Sequence, residues 1–407
     1  VEHTKDYPRL RAVEAISAQD NLVCLRDPEG FSDKLVLLPQ EMLFIVSLFD
    51  GKHSVLDIQV EYTRRFGTLL FGERVRQIVE QLDAALFLDT PRFHEARREA
   101  EASFRSASVR APSHAGSAYE AEPEAVARQL GELFAAETGS EQPSRPSGPL
   151  RGLIAPHIDL RRGGRCFARS YAELADGCEA RTFVVLGIAH LPTRRSFILT
   201  AKDFQTPLGA VPADGEFIAE LTRRCSTDFF EDEFLHRNEH SVEFQALFLR
   251  YMYPRSQNLR MVPVLCSASA SPRAEGSPEQ AAEVEEFIAA LKGVLAQYGS
   301  RALCIAGVDL SHVGQRFGQQ LTLSPALQRR IEEEDRAMIE LILARDAAGF
   351  LRSIQREGNR RNVCGVPGIY ALLRVMEAHS GRLLKYEQAP DQATQSLVSF
   401  MAAAFYG

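Results

Sequence analysis

From Leu150 onward, strand-length apolar runs alternate with stretches whose apolar positions recur every three to four residues. GLIAP, TFVVLGI, RMVPVL and ALCIAGV are apolar almost throughout, the pattern of strands covered on both faces. Helical periods between them predict βα units, and so a largely parallel sheet. RLLKYEQ and SLVSFMAAAFY predict antiparallel additions near an edge. The fold class that follows is α/β, a mixed, largely parallel sheet flanked by helices.

The first 95 residues read as a separate small α+β unit. Two short strands, NLVCL (21–25) and DKLVLL (33–38), flank a turn-like DPEG. An apolar helix is predicted from Pro39, and a second behind Ser54, an N-cap with Asp57 three residues later. Val55, Ile58, Tyr62 and Phe66 give that second helix its period. A third, ERVRQIVEQLDAAL, leads into a short closing LFLDT strand. Residues 96–110 are assigned as a linker and 111–407 as the α/β domain, although FHEARREAEASFRSA and EPEAVARQLGELFAAE both carry helix patterns. SEQPSRPSGP reads as a loop.

Length supports the division, since 407 residues exceed one ordinary core. The net charge of −7 gives no global case for nucleic acid. Residues 1–100 hold 13 Lys and Arg against 17 Asp and Glu, net −4, so this unit too is a poor match to phosphate. Docking of a peptide or protein, or a purely structural role, ranks ahead of DNA. No apolar stretch reaches the roughly 18–20 residues that cross a bilayer. The first residues, VEHTKDYPRLR, lack an apolar signal-peptide core. A cytoplasmic location is the expectation. Seven cysteines with no CxxC pair fit it, and Cys266 and Cys304, in apolar runs, read as buried hydrophobes.

Three apolar strands run directly into a histidine: LIAP into His157, VVLGIA into His190 and CIAGVDLS into His312. Ligand sites in open α/β sheets gather beyond the carboxyl ends of strands, so these three are expected to converge. Cys364, in RRNVCGVPGIY, precedes a predicted helix whose N-terminus would favour the thiolate, with Arg360 and Arg361 near enough to add to the effect. Thiolate and imidazole together suit zinc, copper or iron. His240 and Glu243 stand three apart on a helix candidate, as a pocket wall or a helix-surface pair. His236 and His379 read as surface residues, and no role is assigned to His114.

The order of elements in the first unit resembles winged-helix domains, and LPQEMLFIVSLFDGKHSVLDIQVEYTRRFG is similar to the PqqD-like peptide-recognition subgroup. In the second unit APH (155–157), LGxxH (186–190), EHSVE (239–243), DLSHVGQRF (309–317) and NVCG (362–365) stand in the order of the Memo family. SHAGSAYEAEPEAVARQL (113–130) also matches, with Ala118 where an aromatic is usual. The resemblance covers about residues 110–407. It implies a fold similar to class III extradiol dioxygenases and metal ligation by His157, His190 and Cys364. It places Asp309 and His312 in the same pocket, His312 as acid/base catalyst and Asp309 orienting an imidazole or accepting a hydrogen bond. A thiolate replaces the carboxylate of the ring-cleaving enzymes, so a redox-active Fe(II) or copper site is expected rather than a named reaction. The other readings are a zinc hydrolase and a non-catalytic binding module. A radical S-adenosylmethionine enzyme and an AMMECR-type protein are the implied partners.

Overall fold

The computed structural model describes residues 6–17, 21–137, 148–175, 178–270 and 277–407. The chain divides into two units, Val1–Ala107 and Ser108–Gly407. Most of the predicted SEQPSRPSGP loop lies outside the described residues.

In the first unit β1 (Glu14–Ser17), β2 (Leu22–Arg26) and β3 (Val36–Pro39) form an antiparallel sheet in that order. Three helices follow: α1 (Gln40–Ser47), α2 (Val55–Phe66) and α3 (Gly72–Ala84). The Ser54 side chain caps α2 by accepting the Asp57 N–H at 3.1 Å, while the Asp57 carboxylate accepts the Ser54 N–H at 2.8 Å. Val55, Ile58 and Tyr62 turn into the core, and Phe66, the last residue of the predicted stripe, is exposed. The expected LFLDT strand reduces to a single bridge, Leu10 to Leu88. Leu86, at φ 60°, turns the chain away, and helix α4 (Pro91–Ser106) begins three residues after Leu88.

Helix α4 occupies most of the stretch assigned as a linker. Thr90 accepts the Phe93 N–H, Pro91 starts the helix, and Phe93 is buried under the Arg11 guanidinium at 3.8 Å. The division between units therefore falls after Ala107 rather than across 96–110.

In the second unit, chain order is β4 (Val109–Arg110), α5 (Pro123–Glu137), β5 (Leu150–Ala155), α6 (Leu160–Tyr171) and β6 (Thr182–Ile188). There follow β7 (Phe197–Leu199), β8 (Asp203–Thr206), β9 (Gly209–Val211), α7 (Gly215–Arg223), α8 (His240–Met252), β10 (Arg260–Cys266) and α9 (Pro278–Tyr298). Next come β11 (Ala302–Gly307), β12 (His312–Gly314), α10 (Pro325–Leu343), α11 (Ala347–Arg356) and α12 (Val366–Val375). The hairpin β13 (Ser380–Asp391) and β14 (Ser396–Tyr406) closes the unit. β4, β8 and β9 make a small separate sheet.

The main sheet runs β12-β14-β5-β11-β6-β10-β7, with β13 paired to β14. Strands β5, β11, β6 and β10 are mutually parallel. Their register aligns Ile154, Ala306, Leu186 and Val264 in one buried row, and Leu153, Ile305 and Val185 in another. The two rows feed separate apolar cores, one for each face, as strands covered on both sides require. β13 and β14 are the antiparallel additions expected near an edge: β13 is the outer strand, and β14 beside it pairs also with β5 and β12 and is buried along its length. Among the described residues no helix is long and apolar enough to cross a membrane.

β5, β11 and β6 are adjacent and parallel, so the turns after them leave the sheet at one edge. Those turns carry His157, Asp309 with His312, and His190.

Candidate metal centre

His157 follows β5 by two residues and is almost wholly buried. Its Nδ1 lies 2.9 Å from the Gly307 carbonyl, an acceptor, so Nδ1 carries the proton and Nε2 holds the lone pair. That Nε2 is 3.3 Å from Cys364 Sγ. Burial, with the nearby histidines adding to it, holds the His157 ring well below the usual imidazole range, which keeps it a neutral donor.

His190 follows β6, its ring centroid 5.0 Å from that of His157. The Nδ1 lies 3.0 Å from Glu239 Oε2, and the other ring nitrogen is left to Cys364. Burial opposes a charge on His190, but Glu239 and the hydrogen bonds to Cys364 and Glu239 outweigh it and raise its pKa. Cys364 sits immediately before Gly365, the N-cap of α12. Burial pushes its thiol up in spite of the His190 hydrogen bond, so the helix end does not by itself supply a thiolate.

One donor atom each from His157, His190 and Cys364 lie within 4.8 Å of one another. For metal–nitrogen bonds of about 2.0 Å and a metal–sulfur bond of about 2.3 Å, a tetrahedral edge is roughly 3.5 Å, close to the His157–Cys364 separation. The residues present therefore fit a transition ion. Three protein donors would leave a position for a further ligand, and the His190 side chain, 38% exposed, shows that solvent reaches this side of the group.

The N-terminus of α8 is pinned beside β6. Ser241 Oγ accepts the Ile188 N–H at 2.9 Å and donates to the Ile188 carbonyl at 3.0 Å. A Cβ on Gly187 would meet Ser241 Oγ at 2.5 Å, so glycine is what permits the close approach. This contact brings Glu239 to His190 and stacks the His240 ring on it, centroids 5.0 Å apart and planes at 16°. Glu239, His190 and His240 form a second group with donor spacing of this kind.

Asp309 Oδ1 accepts the His157 N–H at 2.9 Å, and its Oδ2 is 3.7 Å from His157 Nε2. Burial raises its pKa to about 7 despite the His157 and Ile158 N–H groups that favour the anion. His312 lies outside the donor triad. Its Nδ1 is 3.1 Å from the Leu310 carbonyl, and burial lowers its pKa to about 4 against the opposing pull of the Leu310 and Asn362 backbone, so the ring is neutral.

Glu243, three residues after His240, turns away from the donor triad. It takes the Arg110 guanidinium, the Ser113 and His114 N–H groups at 3.2 and 2.9 Å, and the Tyr119 hydroxyl at 2.5 Å. It thereby fastens segment 113–119, which sets the His114 ring 5.6 Å from that of His240. That gives His114 a place in the crevice wall.

Two other expectations differ. His236 is buried, not a surface residue: its Nε2 meets the Ile198 carbonyl at 3.1 Å, and burial lowers its pKa to about 3. His379 is exposed as expected. Arg360 and Arg361 do not turn to Cys364. Arg361 pairs with the buried Asp335 and with Glu357, and Arg360 with Glu334, so these carboxylates claim them instead. Glu239 was not singled out in the sequence, and its only signal is its place in EHSVE.

Comparison with known proteins gives the family of the chain. The Memo-like protein family profile matches residues 110–404. A MEMO1 family protein of Methanopyrus kandleri is 32% identical over 290 residues, covering 69% of this chain and 93% of its own length. One from Aquifex aeolicus is 28% identical over 402 residues, 98% of this chain and 100% of that protein. One from Thermus thermophilus is 26% identical over 342 residues, covering 84% and 96%. With the family profile spanning most of its length, the chain belongs to the Memo family.

Proposed function

We propose that His157, His190 and Cys364 hold one redox-active transition ion, iron first and copper second, in a metal-binding redox protein or metal-dependent oxidoreductase. The carrying observation is the convergence within 4.8 Å of two imidazoles, at the carboxyl ends of the parallel strands β5 and β6 that flank β11, and a thiol from the turn before α12. The ion would supply Lewis acidity and one-electron chemistry, to which a polarisable sulfur ligand is suited. Around it, Gly307 and Glu239 orient His157 and His190 through their Nδ1 atoms. Asp309 holds the His157 backbone, and His312, a neutral ring, would accept a proton from a ligand.

Metal analysis of anaerobically prepared protein tests this reading. Iron or copper at one equivalent supports it. Exchange-resistant zinc favours a hydrolase, and no metal under any loading favours a binding module. His157→Ala, His190→Ala and Cys364→Ser are each expected to empty the site, and His312→Ala to leave it filled. Equal loss in His312→Ala would remove Cys364 as the third ligand.

A second reading concerns the first unit, as a peptide- or protein-docking module. β3 is an edge strand, and Leu37 within it and Leu35 just before it are exposed, apolar surface beside an edge open to strand addition. Membership of the Memo family supports a radical S-adenosylmethionine enzyme and an AMMECR-type protein as partners within the same proposal.

A further inference from the structure

We propose that Glu239 is the positioning residue of the centre: one carboxylate fixes His190 and His240 as a parallel pair, each with its proton on Nδ1. For His190 this rests on the metal-centre reading; for His240 it stands on its own.

The carboxylate has four partners. Oε2 accepts His190 Nδ1 at 3.0 Å and the His190 N–H at 3.3 Å. Oε1 accepts the Ser241 N–H at 2.9 Å and lies 3.1 Å from His240 Nδ1. Two carboxylate oxygens offer about four lone-pair sites, so the acceptor capacity is full. The donor atoms of His190, Glu239 and His240 have the spacing of a second cation site. A cation there would displace both ring N–H donors and compete with two backbone N–H groups. The observed contacts therefore favour a hydrogen-bond hub over a second ion. Glu239 is itself buried, and without these donors its charge would be stranded.

The chemical result follows from the ring. Its two nitrogens lie apart, so a proton fixed on Nδ1 decides that the lone pair is on Nε2. For His190 that lone pair is the one required by an ion held with His157 and Cys364. His240, its centroid 5.2 Å from that of His157, falls outside the donor triad. Its Nε2 is instead an acceptor for an O–H or N–H of whatever occupies the crevice.

The test uses full-length protein labelled with 15N-histidine. Nδ1-bound protons of His190 and His240 are read by NMR in the wild type and in Glu239→Gln, with Co(II) titrated in parallel. Glutamine keeps the shape but replaces one acceptor oxygen by a donor NH2. One of the two Nδ1 protons is expected to disappear, and Co(II) affinity to fall about 10- to 100-fold. The Nδ1 protons of His157 and His312, on backbone carbonyls, persist and show that the site is folded. Lack of an Nδ1 proton on either ring in the wild type overturns the proposal. So do both signals surviving in Glu239→Gln, or two Co(II) per chain in the wild type falling to one. A wild type that takes no Co(II) defeats the metal-centre reading, and the proton signals still decide the role of Glu239.

Discussion

Gly365→Ala puts one methyl group between the cysteine loop and the end of β11. Gly365 has φ −69°, a value that any residue adopts, so backbone strain is not the issue. Space is: a Cβ there would lie 2.4 Å from the Asp309 carbonyl oxygen and 2.9 Å from Val308 Cβ. Restoring ordinary contact requires a shift of about 1 Å, since non-bonded atoms settle near 3.5 Å. The clash is with backbone, so the loop must move. The Gly365 N–H, which donates to that oxygen at 3.1 Å, is pulled off it. Overpacking at roughly 1–3 kcal/mol and the weakened hydrogen bond at about 1 kcal/mol together cost ~2–4 kcal/mol. Cys364 Sγ, 3.7 Å from the same oxygen and 3.3 Å from His157 Nε2, moves with the loop. Metal–ligand distances tolerate only about 0.2 Å, so an ion regains the sulfur by reversing the shift. At about 1.4 kcal/mol per factor of ten, affinity falls roughly 30- to 1,000-fold. Co(II) titration followed through the thiolate charge-transfer band measures this, with urea unfolding of the apo protein alongside. Gly215→Ala, at a position with nothing within 4 Å of the added atom, serves as a control expected to bind Co(II) like the wild type. Co(II) affinity within threefold of the wild type in Gly365→Ala would refute the reasoning.

The Arg110–Glu243 pair is buried on both sides, so Arg110→Met leaves a carboxylate short of its cation and is expected to cost ~3–5 kcal/mol in urea unfolding; a loss under about 1 kcal/mol would mean that His114, Tyr119 and Ser113 suffice. His236 is held at about 3 in the folded protein against the ordinary 6.5, a depressed value, so its contribution is present above pH 6.5 and is lost as pH falls toward 3. Each pH unit in that window removes up to about 1.4 kcal/mol. His236→Gln, which retains a donor for the Ile198 carbonyl, should flatten the stability profile between pH 6.5 and 5; an unchanged slope would show that other groups govern it.

What the sequence disclosed follows physical range. The βα alternation and the strands ending in His157, His190 and His312 were legible because a short apolar run and the residue after it are local. SLVSFMAAAFY carried the mark of an interior strand, apolar without alternation, and the rule that placed the other four strands inside the sheet applied to it equally. The role of Glu239 was not legible: its pairing with His190 spans 49 positions and depends on Ser241 fastening α8 to β6. Glu243 was read through its neighbour His240, but the arginine that claims it is 133 positions away. Arg360 and Arg361 were placed near Cys364 by adjacency in the chain, while carboxylates on α10 (Glu334 and the buried Asp335) decided where they turned.

The strand order sets a timetable for the chain. β11 lies between β5 and β6 in the sheet but is translated after both, with more than a hundred residues separating it from β6. The neighbours that hold His157 and His190 side by side are thus absent until a late, long-range insertion, and such closures are slow. The cysteine arrives later still. Until Cys364 is made and β11 is inserted, the two imidazoles and the thiol of the proposed centre cannot meet, so an ion held by all three would enter only after this part of the sheet has closed.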